Sequence, residues 1–230
     1  MRVLRIAHVG QHFSPTFYKN QWRRRFHTRC NGDLYPTHGL GPVAAYLDLH
    51  RGDRFLRMTA MSTPALGLAE YRPPGDPTFA ERYVKGDVTI RLLQTAKGRV
   101  IHLAHVVSNP HPYTRRNHLA DTNGAGLPRT RHERPPVGLV RRLRRPRPLW
   151  TDVGPGGHGG MDHIMLWRLV QCLRLGLPPD IDVYDAAARS APLPLSVLSV
   201  AGRGASVSFP DFTRGRWQSP HPGTDSEKPA

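Results

Sequence analysis

Apolar and polar residues alternate in several short stretches of the chain, and that period of two predicts strands. Arg2 to Val9 (RVLRIAHV) is the first such stretch and Arg54 to Met61 (RFLRMTAM) the second. The clearest is a pair. VTIRLLQ (Val88 to Gln94) and RVIHLAHVV (Arg99 to Val107) flank TAKG, a hairpin turn in which Gly98 suits a positive φ. From Thr37 the period lengthens. Leu40, Val43, Ala44 and Leu47 recur at helical spacing behind a residue that can cap, and Gly52 is the expected stop. The longest helical pattern lies in GGHGGMDHIMLWRLVQCLRLGLPPD. There Met161, Ile164, Met165, Leu169, Cys172 and Leu173 form one apolar stripe, which predicts a helix closed by Gly176, Pro178 and Pro179. A shorter helix is expected over Val183 to Ala188, and APLPLSVLSV brings further core residues. Asn20 to Asn31 (NQWRRRFHTRCN) reads as a basic loop, and the proline-bearing stretch after Met61 as a surface excursion.

Strand, helix, strand, hairpin and two helices make an α+β arrangement: a mostly antiparallel sheet with helices on one face. One domain over residues 1–217 accounts for these elements. It is interrupted by an irregular insert at 121–147, where few apolar residues fall in period, and followed by a polar, disordered tail at 218–230. No GxGxxG follows the first strand, so no dinucleotide-binding half is visible.

Composition changes this picture in one place. The formal net charge is +16, which by itself points to nucleic acid or an anionic surface. Eight arginines crowd into RTRHERPPVGLVRRLRRPR, Arg129 to Arg147, so the charge is local. No nucleic-acid-binding motif or interleaved aromatic accompanies it, and no specific nucleic-acid partner is expected. No apolar run approaches the roughly 20 residues of a membrane helix, so no membrane partner is expected either. The start of the chain lacks the pattern of a signal peptide, and no compartment is assigned.

Candidate chemistry gathers in NGDLYPTHGLGPV, Asn31 to Val43. Pro36 restricts Tyr35 to extended geometry, and Thr37 opens the helix. His38 then sits in the first helical turn, where the dipole disfavours its charged form and a proton can be taken or given near neutral pH. Two readings stay open on spacing alone: a reactive Tyr35–His38 pair, or packing and capping groups of a tight helix entry. Arg23 to Arg25 follow Trp22 and could hold a phosphate or a sugar hydroxyl, or be a solvated basic loop. His102 and His105 are three apart on one strand and face opposite sides, and the other histidines show no ligand spacing, so no metal site is expected. Tyr113, between Pro112 and Thr114, stands at a strand end, as a presented functional group or a loop anchor. GGHGG before the long helix could receive an anion or simply let the chain pass close to another backbone.

Three segments carry a resemblance: NGDLYPTHGLGPV, LQTAKGRVIHLAHVVSNPHPYTR and GGHGGMDHIMLWRLVQCLRLGLPPDIDVYDAAA. Together they resemble the C-terminal half of glycoside hydrolase family 109, NAD-dependent α-N-acetylgalactosaminidases within the Gfo/Idh/MocA oxidoreductase superfamily. The resemblance covers most of residues 20–119 and 148–217. It implies a large open sheet, with the Rossmann domain absent from these residues and the chain therefore truncated. It implies NAD, bound mainly by that missing half, and a carbohydrate substrate. In the family it resembles, the sugar is oxidised at C3, the C2 proton is lost, the C1 leaving group is eliminated, water adds and the hydride returns. By the same resemblance His38 and Tyr35 are catalytic. Arg23, Tyr35, Pro36, Thr37, His38 and Tyr113 contact the sugar, and Tyr35 also touches the nicotinamide. The superfamily also implies a homo-oligomer through the open sheet, and a non-catalytic remnant or oligomerisation domain is the alternative. Between Asn117 and Pro148 arginines and prolines stand where the family has acidic and aromatic residues, which suggests a reading-frame slip later restored.

Overall fold

The computed structural model describes residues 2–6, 23–67, 70, 81–108, 114–121, 124–126 and 160–219. The strands are β1 (Arg2–Ile6), β2 (Phe55–Ser62), β3 (Val88–Thr95), β4 (Val100–Val106), β5 (Thr114–Asp121), β6 (Gly124–Gly126) and β7 (Val207–Ser208). The helices are α1 (Arg24–Arg29), α2 (Thr37–Tyr46), α3 (Met161–Arg174), α4 (Val183–Ser190) and α5 (Pro192–Ala201). The strands form one sheet in the order β6-β5-β1-β4-β3-β2-β7. Every pairing is antiparallel except that of β1 with β4. The expected α+β class, with a large and mostly antiparallel sheet, is the observed one.

The hairpin of β3 and β4 forms as its alternation requires, and Gly98 turns it at φ 77°. On β3 the side chains of Thr89, Arg91, Leu93 and Thr95 point inward, whereas Ile90 and Leu92 are exposed on the other face. The inward face carries the core. Leu40, Val43 and Ala44 of α2 pack with Phe55 and Met58 of β2, Leu93 of β3, Ile101 and Leu103 of β4, Ala188 of α4 and Phe209. Burying such side chains contributes about 1.5–3 kcal/mol each.

Several expectations are corrected. Asn20 to Asn31 is not all loop: Arg24–Arg29 is helical, because its C-terminal end is held from a distance. The His27 side chain is fully buried, and its carbonyl accepts the amides of Val84 and Lys85 at 3.0 and 3.1 Å. Tertiary anchoring here overrides a weak local pattern. α2 stops at Tyr46, ahead of Gly52, because Asp48 and His50 turn the chain with φ of 51° and 67°. APLPLSVLSV is a helix whose first residue is Pro192, a position where the missing N–H costs nothing. Its buried polar residues are Ser196 and Ser199, while Leu198 is exposed. Ser199 covers a sheet edge: β7 pairs with β2 only at Arg57 and Met58, and farther along the Ala60 amide donates to Ser199 Oγ at 2.8 Å.

The largest correction is α3. It spans Met161–Arg174 as expected and ends at Gly176 with φ 64°. Yet of the expected stripe only Cys172 is buried, while Met165 is 60% and Leu173 66% exposed. The expected insert at 121–147 begins with β6 paired to β5, and the rest of it from 127 lies outside the described residues, as does the tail from 220.

Candidate functional site

The loop between α1 and α2 crosses the helix-bearing face of the sheet, and the sequence explains how it is held. Gly32 passes α5 so closely that a Cβ there would lie 2.6 Å from Ser196 Oγ, so only glycine fits. Gly86 N–H donates to Asn31 Oδ1 at 3.0 Å, and Thr89 Oγ1 donates to the Gly32 carbonyl at 3.2 Å. Asp33 follows, fully buried, its amide donating to Ser196 Oγ at 2.8 Å.

Asp33 then meets two inward residues of the sheet. Its Oδ2 pairs with the guanidinium of Arg91 on β3, and its Oδ1 lies 3.2 Å from Nδ1 of His105 on β4. All three side chains are at most 1% exposed. Asp33 Oδ1 also accepts the Tyr35 amide at 2.8 Å.

Past this anchor the chain presents the residues that the sequence singled out. Tyr35 is half-buried, Pro36 buried, Thr37 half-buried and His38 exposed. Tyr35 Oη lies 3.3 Å from His38 Nε2, with the ring centroids 4.6 Å apart. Arg23, at the start of α1, lays its guanidinium over the Tyr35 ring at 5.0 Å, a cation–π contact. Arg23, Tyr35 and His38 thus come together from two elements twelve to fifteen residues apart. Tyr113 lies outside the described residues.

A hydroxyl within hydrogen-bonding reach of an imidazole can pass a proton between them, and both groups here keep an open side toward solvent. The neighbouring arginine supplies fixed positive charge and planar donors suited to hydroxyl or carbonyl oxygens. Among the described residues no three His, Cys, Asp or Glu side chains gather as metal ligands, and no helix is long and apolar enough to cross a membrane.

Sequence reasoning missed the support beneath this group: Asp33, Arg91, His105 and Ser196. One signal for it existed. In β3 the alternation that points Leu93 inward also points Arg91 inward, and an inward arginine demands a buried carboxylate.

Comparison with known proteins now adds identity. Residues 5–130 and 146–219 match the family model for the C-terminal domain of glycosyl hydrolase 109. The chain belongs to glycoside hydrolase family 109. A glycosyl hydrolase family 109 protein of Saccharopolyspora erythraea is 56% identical over 100% of this chain and 57% of its own length. Another, from Streptomyces niveus, is 48% identical over 100% of this chain and 53% of its own length. The chain therefore spans a little over half the length of these relatives. The unmatched residues 131–145 fall inside the arginine- and proline-rich segment, where the departure from the family was expected.

Among solved structures, myo-inositol dehydrogenase from Lactobacillus casei, in complex with NAD(H) and myo-inositol, is 12% identical with a TM-score of 0.51. The alignment covers 95% of this chain and 56% of that one. An oxidoreductase domain protein from Kribbella flavida also gives a TM-score of 0.51, at 13% identity, over 91% of this chain and 59% of that one. At such identities the likeness concerns the fold alone. This family 109 domain shares the fold of a little over half of each of those two proteins.

Proposed function

We propose that this chain is the sugar-facing half of an NAD-dependent glycosidase that removes terminal α-N-acetylgalactosamine or a related sugar. The observation that carries the reading is the convergence of Arg23, Tyr35 and His38 within a family 109 domain. Arg23 binds and orients the sugar through its hydroxyl or carbonyl oxygens. Tyr35 packs along the sugar, and Pro36 and Thr37 shape the floor. His38 holds or moves a proton through Nε2, with the Tyr35 hydroxyl 3.3 Å away as its partner. Tyr113 belongs to the same proposed contact set.

The residues present fit one side of an NAD site. Tyr35, beside Arg23 and His38, is the residue that would touch the nicotinamide. No glycine-rich turn follows the first strand to seat the pyrophosphate. NAD, when bound, supplies the transient oxidation at C3 that acidifies the C2 proton and permits loss of the C1 substituent.

Titration of the isolated chain with NAD⁺ tests this division of labour. No tight binding is expected, and micromolar binding would overturn it. In the enzyme reconstituted with a cofactor-binding half, His38→Ala is expected to abolish turnover of an aryl α-N-acetylgalactosaminide while leaving the fold intact. Retained turnover removes His38 from the mechanism.

A second reading, an oligomerisation domain, draws on the outer face of the sheet. Met61 of β2 lies in register with Ile90 of β3, Leu92 lies opposite His102 of β4, and Val100 opposite Gln94. Met61, Ile90, Leu92 and Val100 are all exposed, which favours a second copy across the open sheet. Light scattering on the wild type and on Ile90→Lys separates the cases: a dimer that becomes a monomer supports it, and a monomeric wild type ends it.

A further inference from the structure

We infer that Asp33 is a positioning residue for the Tyr35–His38 pair, clamped from below by Arg91 and His105 so that the loop above them keeps one geometry. The inference rests on the reading of Tyr35 and His38 as the sugar-facing group.

Three observations converge on it. The Asp33 carboxylate is buried against a guanidinium and an imidazole that belong to different strands of the rigid sheet. The same carboxylate accepts the Tyr35 amide at 2.8 Å, so its position fixes the backbone two residues before the α2 entry. The Asp33 amide is held in turn by Ser196 of α5, at 2.8 Å. Asp33 is thereby tied to β3, β4 and α5, and its remaining bond is made to Tyr35.

The chemistry explains why a charged group stands there. Leaving a buried carboxylate and guanidinium in an apolar core is unfavourable unless each satisfies the other, and one defined geometry does so. Such a pair resists sliding in a way that a leucine in the same place would not. A proton-transfer pair needs that constraint. Tyr35 Oη and His38 Nε2 are separated by 3.3 Å, and a few tenths of an ångström more would break the contact. His105 Nδ1, 3.2 Å from Oδ1, places a second group from another strand beside the carboxylate.

The test reads geometry, not stability. In the unmodified chain the Tyr35 amide is expected to exchange with solvent at least tenfold more slowly than an unprotected amide. Exchange at the unprotected rate overturns the inference without any variant. Next, Asp33→Ala is combined with Arg91→Met, which removes both buried charges together and avoids an unpaired guanidinium. In this double variant the nuclear Overhauser contact between the Tyr35 and His38 rings is expected to fall at least threefold, while the Leu93, Ile101 and Leu103 methyl resonances keep their positions. An unchanged Tyr35–His38 contact overturns the inference. Titration with N-acetylgalactosamine, read on the Tyr35 and His38 resonances, separates the two levels of the argument. If the wild type shows no sugar-induced shift, the sugar reading fails while the ring contact still decides the role of Asp33. If the wild type responds and the double variant responds equally, Asp33 has no positioning role.

Discussion

Two regions of this domain invert the usual arrangement of polar and apolar residues in opposite ways. Under the α2 entry, Asp33, Arg91 and His105 place charge inside, with at most 1% of each side chain exposed. On α3, Leu166, Val170 and Leu173 stand largely in solvent. The charged group is over-determined: each member is fixed by residues from another element. Among the described residues the apolar helix is held chiefly by buried Cys172 and the Arg168–Asp180 ion pair at 2.9 Å. Periodicity reports which residues want cover. It says nothing of whether the same stretch of chain supplies that cover, or of which distant loop will neutralise an inward arginine.

Breaking the charged region gives the largest effect. Asp33→Ala leaves Arg91 buried without its carboxylate and removes the acceptor for the Tyr35 amide, and a loss of about 3–5 kcal/mol is expected in urea unfolding. Adding Arg91→Met should recover a good part of it. A loss below about 1 kcal/mol for Asp33→Ala would mean that the pair is hydrated in solution and that the contrast with α3 is false.

Asp185 offers a second, slightly weaker break. Burial pushes its carboxyl up, but hydrogen bonds from Arg51 and from the Asp182 amide, with Arg189 nearby, hold it below the ordinary carboxylate range. Its side chain is fully buried, while those of Arg51 and Arg189 are 17% and 12% exposed. Asp185→Asn is expected to cost about 3 kcal/mol, since the arginines reach water and can rehydrate. The depressed carboxyl sets the sign with pH: its contribution is present above the unfolded value of 3.8 and is lost as pH falls through the lower folded value. Unfolding of wild type and Asp185→Asn should therefore converge toward acid.

These effects show what the chain made legible. The β3–β4 hairpin could be read directly, because one face of each strand is buried and the period of two survives intact. Tyr35 and His38 could be named as candidates from local spacing, but the approach of Arg23 depends on α1 folding back through His27, which no local pattern announces. Asp33 was invisible because its partners lie 58 and 72 residues away on a sheet whose register the loop cannot know. α3 was read correctly as a helix and wrongly as a core element, since burial belongs to the neighbours of a helix and not to its sequence.

Lys85 sharpens the comparison from the polar side. It is fully buried, and its ammonium donates to the Gly86 carbonyl at 2.7 Å. Burial lowers its pKa from 10.5 to about 8, against the pull of Asp87. Between those two values the unfolded chain holds a proton that the folded chain has released, so stability rises as pH rises through that window. The slope should approach about 1.4 kcal/mol per pH unit. Below pH 8 the buried charge is a standing cost, absent in Lys85→Met. Urea midpoints from pH 7 to 11 should climb for the wild type and stay flat for Lys85→Met. A flat wild-type profile would place Lys85 in water.

The smallest effect, that at Leu166, is the sharpest test of the apolar side. Leu103 of β4 and Leu166 of α3 are the same residue type, the first fully buried and the second 56% exposed. Leu103→Ala is expected to cost about 2–5 kcal/mol, because it removes apolar contacts and leaves a cavity. Leu166→Glu places a full charge on α3 and should still leave stability within about 0.5 kcal/mol, since the side chain has water on one flank and Glu is nearly as good a helix former as Leu. A loss above about 2 kcal/mol for Leu166→Glu would mean that α3 is covered in solution. The apolar stripe would then be a core face after all, and the two regions would differ only in which contacts hold them.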